Sequence, residues 1–158
     1  MTWFGQWHDE SSRWLFRLAG AALVLAVALY AFEVIARYLF GTPTTWSGEA
    51  VQYSLAVLIF CALPDVPRRA AHVAIDIVPE SLPERTRGIL ARINNVIATA
   101  ATGIAAWIVA GESLRQFEKG LMTNAANPIP RWWITALIAL GLASASLHFL
   151  RNMLDRRG

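Results

Sequence analysis

An all-α integral membrane protein with four transmembrane helices is the fold class predicted by this 158-residue sequence, and three observations predict it. Four apolar runs, with cores at residues 18–32, 50–63, 96–110 and 134–147, reach bilayer-spanning length once their flanking turns are added. Hydrophobic residues make up 56% of the chain and charged residues 16%; soluble domains have about 45–50% and about 25%, so this chain packs in lipid. The third observation is the placement of the 14 Lys and Arg residues. Arg13, Arg17, Arg68, Arg69, Arg85, Arg87, Arg92, Arg151, Arg156 and Arg157 lie in the amino-terminal segment, the central loop and the carboxy-terminal tail, whereas only Arg37, Arg115, Lys119 and Arg131 flank the other two connections. The positive-inside bias therefore places both termini and the central loop in the cytoplasm.

The whole chain reads as one domain, with spans over about residues 14–40, 46–64, 82–119 and 130–154 and a connector over 65–81. No removable signal peptide is expected: residues 1–17 are rich in Trp and carry Asp9 and Glu10, unlike a short basic leader, so span one stays in the membrane. Span one starts near Trp14 and is stopped by Gly41-Thr42-Pro43, which forms a tight turn into span two. Trp46 suits the interfacial belt, and Glu49 falls in the first turn of span two, where the positive helix end favours a carboxylate. Pro64 and Pro67 stop span two. The connector mixes Arg68, Arg69, His72 and Asp76 with Val73, Ile75, Ile77 and Val78, the composition of a segment lying on the cytoplasmic surface.

Ser81-Leu82-Pro83-Glu84 is a capping box with proline in the first turn, a start signal for span three. Nothing strongly helix-breaking follows until Gly120, and about 38 helical residues would extend about 57 Å, so span three must tilt, protrude or break. Asn127-Pro128-Ile129-Pro130 prepares span four, with Arg131, Trp132 and Trp133 at the outer interface and Arg151 at the inner one.

Polar residues inside or beside the spans are where function is to be sought. Glu33 and Arg37 stand four residues apart, on one helix face near the outer end of span one, close to Glu49 across a short hairpin. Three readings stay open for them: an interfacial ion pair without chemistry, a contact to another subunit, or a proton-coupling carboxylate. Asn94 and Asn95 read as helix glue, and the small pairs Ala22/Ala26, Ala98/Thr102 and Gly141/Ala145 permit close helix approach. Glu112, Arg115, Glu118 and Lys119 read as a solvated outer helix end.

Catalytic residues are not expected, and neither are cofactor or metal ligands. His148 is the only histidine within a span, which argues against paired axial haem ligands, and no nucleotide loop, G-x-S-x-G or metal-ligand spacing is present. Cys61, the single cysteine, can form neither an internal disulfide nor a CxxC site. The basic residues edge the spans instead of forming a stripe with interleaved aromatics, so no nucleic-acid partner is expected and membrane lipid is.

Four ordered pieces of the chain resemble one family, the small membrane subunit of tripartite ATP-independent periplasmic (TRAP) transporters, the DctQ-like proteins. They are Glu33-Val34-Ile35-Ala36-Arg37-Tyr38 closing span one; Gly41 with the Trp46/Glu49 pair; Arg68-Arg69-Ala70-Ala71-His72-Val73-Ala74-Ile75-Asp76; and Ile129-Pro130-Arg131-Trp132-Trp133. Two features depart from the family pattern: Pro64, Asp65 and Pro67 interrupt a stretch that is usually more helical, and Ala70-Ala71 stands where glycine is common. The resemblance implies a non-catalytic scaffold in the bacterial inner membrane. It would assemble with a large multi-span subunit carrying solute and sodium, served by a periplasmic binding protein for small organic acids. Glu33, Arg37, Tyr38, Trp46, Glu49, His72, Asp76, Pro130 and Trp132 are then the candidate subunit-interface residues. Two rivals remain: a stand-alone four-helix proton-coupled exporter using Glu33, which Arg37 one turn away would hinder by favouring the charged carboxylate, and a haem or quinone anchor.

Overall fold

The computed structural model describes residues 3–70, 84–125 and 127–154. Five helices lie among these residues: α1 (Trp3–Phe40), α2 (Ser47–Ala62), α3 (Asp65–Ala70), α4 (Glu84–Glu118) and α5 (Arg131–Leu154). Four segments are long and apolar enough to cross a membrane, Trp7–Phe40, Ser47–Pro67, Gly88–Glu118 and Arg131–Leu154, which makes the chain a multi-pass membrane protein.

The helix boundaries follow local chemistry. Gly41 adopts φ +64°, the left-handed conformation that ends a helix without a Cβ penalty, and α1 stops there. At the end of α4, Gly120 has φ +59°; its N–H bonds to Phe117 O (3.1 Å), and the N–H of Leu121 bonds to Gln116 O (3.1 Å). This crossed pair is the Schellman arrangement, which satisfies carbonyls a helix end otherwise leaves open. The segment after it folds back on itself: Thr123 N–H donates to Ile129 O (2.9 Å), and Arg131 N–H to Leu121 O (3.0 Å). Ile129 N–H donates to Thr123 Oγ1 (3.0 Å), so α5 starts from a closed loop.

Two boundaries differ from the sequence expectation. Helix α1 begins at Trp3, about three turns before Trp14, because the polar residues His8, Asp9 and Ser12 on the added turns meet partners on α5. Pro64 and Pro67 do not end the helical path either. After a break at Leu63 and Pro64 the chain re-enters helix as α3, so the first residues of the expected connector are helical. Proline is tolerated in a first helical turn, where its missing N–H has no intrahelical partner to lose. Asn152 of α5 donates to Pro67 O (3.0 Å), and Pro64, Asp65 and Pro67 are all buried. The rest of the connector, with His72 and Asp76, and the capping-box residues 81–83 lie outside the described residues. Helix α4 is unbroken over 35 described residues, about 52 Å, so it accommodates its length by tilt or protrusion.

Extended packing joins α1 to α2, α2 to α5, and α5 to α4. The spatial order is therefore α1, α2, α5, α4, a row of two hairpins joined along α2 and α5. Small residues make the seams: Ala19, Ala22 and Ala26 are buried on α1, and Gly141 and Ala145 on α5. The outer helices keep large apolar residues exposed, including Val24, Val27, Ile104 and Trp107, as helices facing hydrocarbon do.

One contact limits how close the hairpins come. Pro64 has no N–H to give the carbonyl of Phe60, its i−4 partner, and Gly141 lies against that carbonyl. A Cβ at Gly141 would sit 2.4 Å from Phe60 O and 3.1 Å from its carbonyl carbon. Gly141→Ala must then push backbone from backbone, at an overpacking cost of about 1–3 kcal/mol. We expect it to lower the thermal midpoint of the detergent-solubilised chain by several degrees. Gly111→Ala, where a Cβ meets nothing within 4 Å, should leave the midpoint unchanged or raise it. Equal midpoints for the two variants would show that this seam does not hold the hairpins together.

Candidate functional site

At the end of the row that carries the 41–46 turn, Glu33 is a clamp between helix and loop. Its Oε1 accepts from Arg37 Nη2 (3.0 Å); its Oε2 accepts from Thr44 N–H (3.2 Å), from the Thr44 hydroxyl and from Ser47 Oγ (2.7 Å). The Gly41 turn sets this up by reversing the chain just after α1, which brings Thr44 and the first residue of α2 back beside Glu33. The partners are unequal. The Arg37 side chain is 60% exposed and that of Glu33 is 13% exposed, while Ser47 is buried. Glu33 and Arg37 thus pair as the sequence indicated, but the ties that position the loop come from Thr44 and Ser47. Nothing in the spacing of these two polar residues announced that role.

Glu49 turns to a different neighbour, accepting from Asn127 N–H (3.4 Å) in the loop before α5. Tyr53 Oη donates to Thr123 Oγ1 (3.3 Å) in the same loop, so the first turns of α2 hold both loops at this end. Trp46 lies 6.2 Å from Phe32, ring to ring, and Tyr38 is exposed. Pro130 bridges Met122, and Trp132 meets Phe117 edge-on at 5.3 Å. Glu112 binds Arg115 (2.7 Å) and Gln116 (3.0 Å), and Gln116 in turn accepts from Thr135 on α5 (3.1 Å). This helix end is therefore stitched to its neighbour as well as solvated.

Midway, an apolar groove of about 440 Å³ runs between α4 and α5, lined by Gly103, Ala106, Trp107, Ala139, Ala143 and Leu147 among others. Its polar lining group, Ser146 Oγ, donates to Thr99 O (3.1 Å). With no charged residue in its lining, the groove suits hydrocarbon and cannot recognise a carboxylate solute.

The end of the row that carries both described termini holds a cluster absent from the sequence expectations. His8 and His148 contact each other with ring centroids 4.1 Å apart and planes inclined by 34°. His8 Nε2 meets Ser144 Oγ (3.1 Å), His148 Nε2 meets Ser12 Oγ (2.8 Å), and Arg151 binds Asp9 through Nη1 (2.7 Å) and Nη2 (3.5 Å). Every one of these ties runs between α1 and α5. His148 remains the only histidine in the apolar part of a span, but the early start of α1 carries His8 onto it. The pair leaves no room for a porphyrin between the rings, so it offers no axial haem site. Only the His8-Asp9 doublet and one intraspan histidine hinted at this cluster, and ties between positions 136 to 142 apart are invisible to local pattern.

The two clusters give contrasting expectations for substitution. Replacing Glu33 with Ala strands the hydroxyl of buried Ser47 and releases the loop, whereas removing the exposed Arg37 guanidinium leaves the ties to Thr44 and Ser47 in place. Glu33→Ala should therefore lower membrane accumulation and thermal midpoint clearly more than Arg37→Ala, as read by immunoblot and by melting in detergent. The reverse order would make Arg37 the anchor.

No curated protein and no solved structure matches the chain. The family model described as Tripartite ATP-independent periplasmic transporters, DctQ component, matches residues 26–157, which takes in α2, α3, α4 and α5 entirely and α1 from Ala26 onward. Four membrane-crossing helices in a row, polar ties at the helix ends and a match over most of the sequence agree: the chain belongs to the DctQ family of small TRAP transporter membrane subunits.

Proposed function

We propose that the chain is the stationary small subunit of a sodium-coupled TRAP system that takes up a small organic acid across the bacterial inner membrane. In this reading it binds a large multi-span subunit that carries solute and sodium, and a periplasmic binding protein delivers the solute to the pair. The observation that carries the reading is the family match over residues 26–157. Family membership also makes the chain a non-catalytic component.

The geometry supports a scaffold role. A subunit that moves solute across the bilayer needs a part that stays in place, and a row of helices presents a wider lateral surface than a closed bundle of the same four would. The α4–α5 groove is apolar, and Glu33 is fully engaged by Arg37, Thr44 and Ser47, so no described site matches a hydrated organic anion. The same engagement argues against a stand-alone exporter, whose carboxylate must exchange protons with passing solute. Glu33, Arg37, Tyr38, Trp46, Glu49, Pro130 and Trp132 all lie toward the end with the 41–46 and 119–130 connections, and there we place the periplasmic contact with the large subunit. His72 and Asp76 belong to a cytoplasmic contact.

Orientation and autonomy are separately measurable. Reporters fused at Pro83 and Gly158 should read as cytoplasmic and one at Thr44 as periplasmic; a periplasmic signal at Gly158 overturns the assigned orientation. In liposomes the chain alone should give no sodium-driven uptake, which should appear once the large subunit and the binding protein are added. Uptake by this chain alone, abolished by Glu33→Gln, would support the exporter instead.

A further inference from the structure

The geometry points to a divalent metal site, of a kind suited to Zn²⁺, formed by His8, Asp9 and His148, where the start of α1 meets the end of α5. One ligand atom from each of the three residues lies within 4.8 Å of the other two. Two imidazoles and a carboxylate form a donor set that zinc takes readily, with a water completing a tetrahedron. The Asp9 side chain is 29% exposed, so the cluster is open to water on that side.

Hydrogen bonding engages the Nε2 atom of each ring with a serine and leaves the Nδ1 atoms as the candidate ligands. Ser12 Oγ donates its one proton to His8 O (2.9 Å), so at the 2.8 Å contact with His148 Nε2 the ring must be the donor. In a neutral imidazole that leaves His148 Nδ1 as a lone pair, and it faces Asp9 Oδ1 at 4.0 Å. A proton on Nδ1 or a metal ion placed there would join the two groups. The gap is too long for a direct hydrogen bond; tetrahedral zinc with bonds of about 2.0–2.2 Å holds its ligand atoms about 3.4 Å apart, so an ion would draw the Asp9 carboxylate and the ring slightly together.

The third ligand is already desolvated. With Nε2 of His8 on Ser144, its Nδ1 is buried and has no hydrogen-bond partner, an unmet lone pair or N–H that a metal ion would account for if the ring ligates through Nδ1. Ser12 and Ser144 then hold the far ring nitrogens, and Arg151 holds the carboxylate, which is the outer support that ligating histidines and carboxylates commonly have. A bound ion would clasp the first turns of α1 to the last turns of α5. The segment from His8 to His148, 140 positions apart, would be closed into one loop.

The test uses the full chain, purified in mild detergent without a polyhistidine tag and stripped with a chelator. Titration with Co²⁺ should give visible d–d bands saturating at one equivalent and displaced by Zn²⁺. His8→Ala and His148→Ala should each weaken Zn²⁺ binding at least tenfold, while Glu10→Gln, at an exposed neighbouring position, should leave it unchanged. Affinity should fall on acidification, because imidazole ligates only as the neutral base. Should a variant fail to fold, the wild-type chain decides: Zn²⁺ should protect His8 from carbethoxylation by diethyl pyrocarbonate, located by mass spectrometry. Absence of stoichiometric binding, equal affinity in the double alanine variant, or His8 modified equally fast with and without Zn²⁺ each overturns the site. A site occupied by a proton alone would give the last of these results. None of these readouts depends on transport, so the metal site can fail while the subunit assignment stands.

Discussion

Lipid tails are as apolar as leucine, so burying side chains against another helix gains little inside a bilayer, and association rests on close fit and polar ties. In this chain the fit between α2 and α5 carries that burden. Gly141 lets the backbone of α5 reach the carbonyl of Phe60, a group that Pro64 leaves without its usual intrahelical donor. A side chain at position 141 would close the space the approach requires. Since α1 packs along α2 and α4 along α5, this seam, together with the polar ties at both ends, sets the relative placement of the two hairpins.

Polar ties finish what close packing begins, and they are concentrated near the helix ends. At one end Glu33 collects Arg37, Thr44 and Ser47, while Glu49 and Tyr53 reach the loop that precedes α5. At the other end Asp9, Ser12 and His8 on α1 meet Arg151, His148 and Ser144 on α5. Polar groups at the ends of a span are less costly than at its centre, and they fix rotation and height where apolar packing is permissive. The cores of the spans are left apolar, with small residues inside and large ones outside. That division suits the stationary role proposed for the chain.

The row order also bears on function. Helix α4 touches chiefly α5, and α1 chiefly α2, so the outermost helices expose wide apolar faces carrying Trp107, Ile108 and Val24. A stand-alone transporter closes its helices around a pathway. This chain spreads them, and its described groove is apolar and open, which fits a family that divides transport between a carrier and an accessory subunit.

Much of this architecture is local information and was readable from residue order. The four apolar runs, the glycines at 41 and 120 and the Glu33–Arg37 spacing all act over a few residues, and each produced the feature expected of it. Boundaries that depended on distant partners were not readable. The amino-terminal turns of α1 look like a polar lead-in until Arg151 and His148 stand beside them, and Pro64 and Pro67 look like a stop until α5 supplies Asn152. Thr44 and Ser47 became the principal partners of Glu33 because a left-handed glycine reverses the chain, a direction that composition does not encode. The histidine cluster is the clearest case. Apolar periodicity, charge bias and turn chemistry are carried by neighbouring residues and so establish the spans, whereas the meeting of His8 with His148 depends on which hairpin faces which, and that is decided only when Gly141 lets α5 settle against α2.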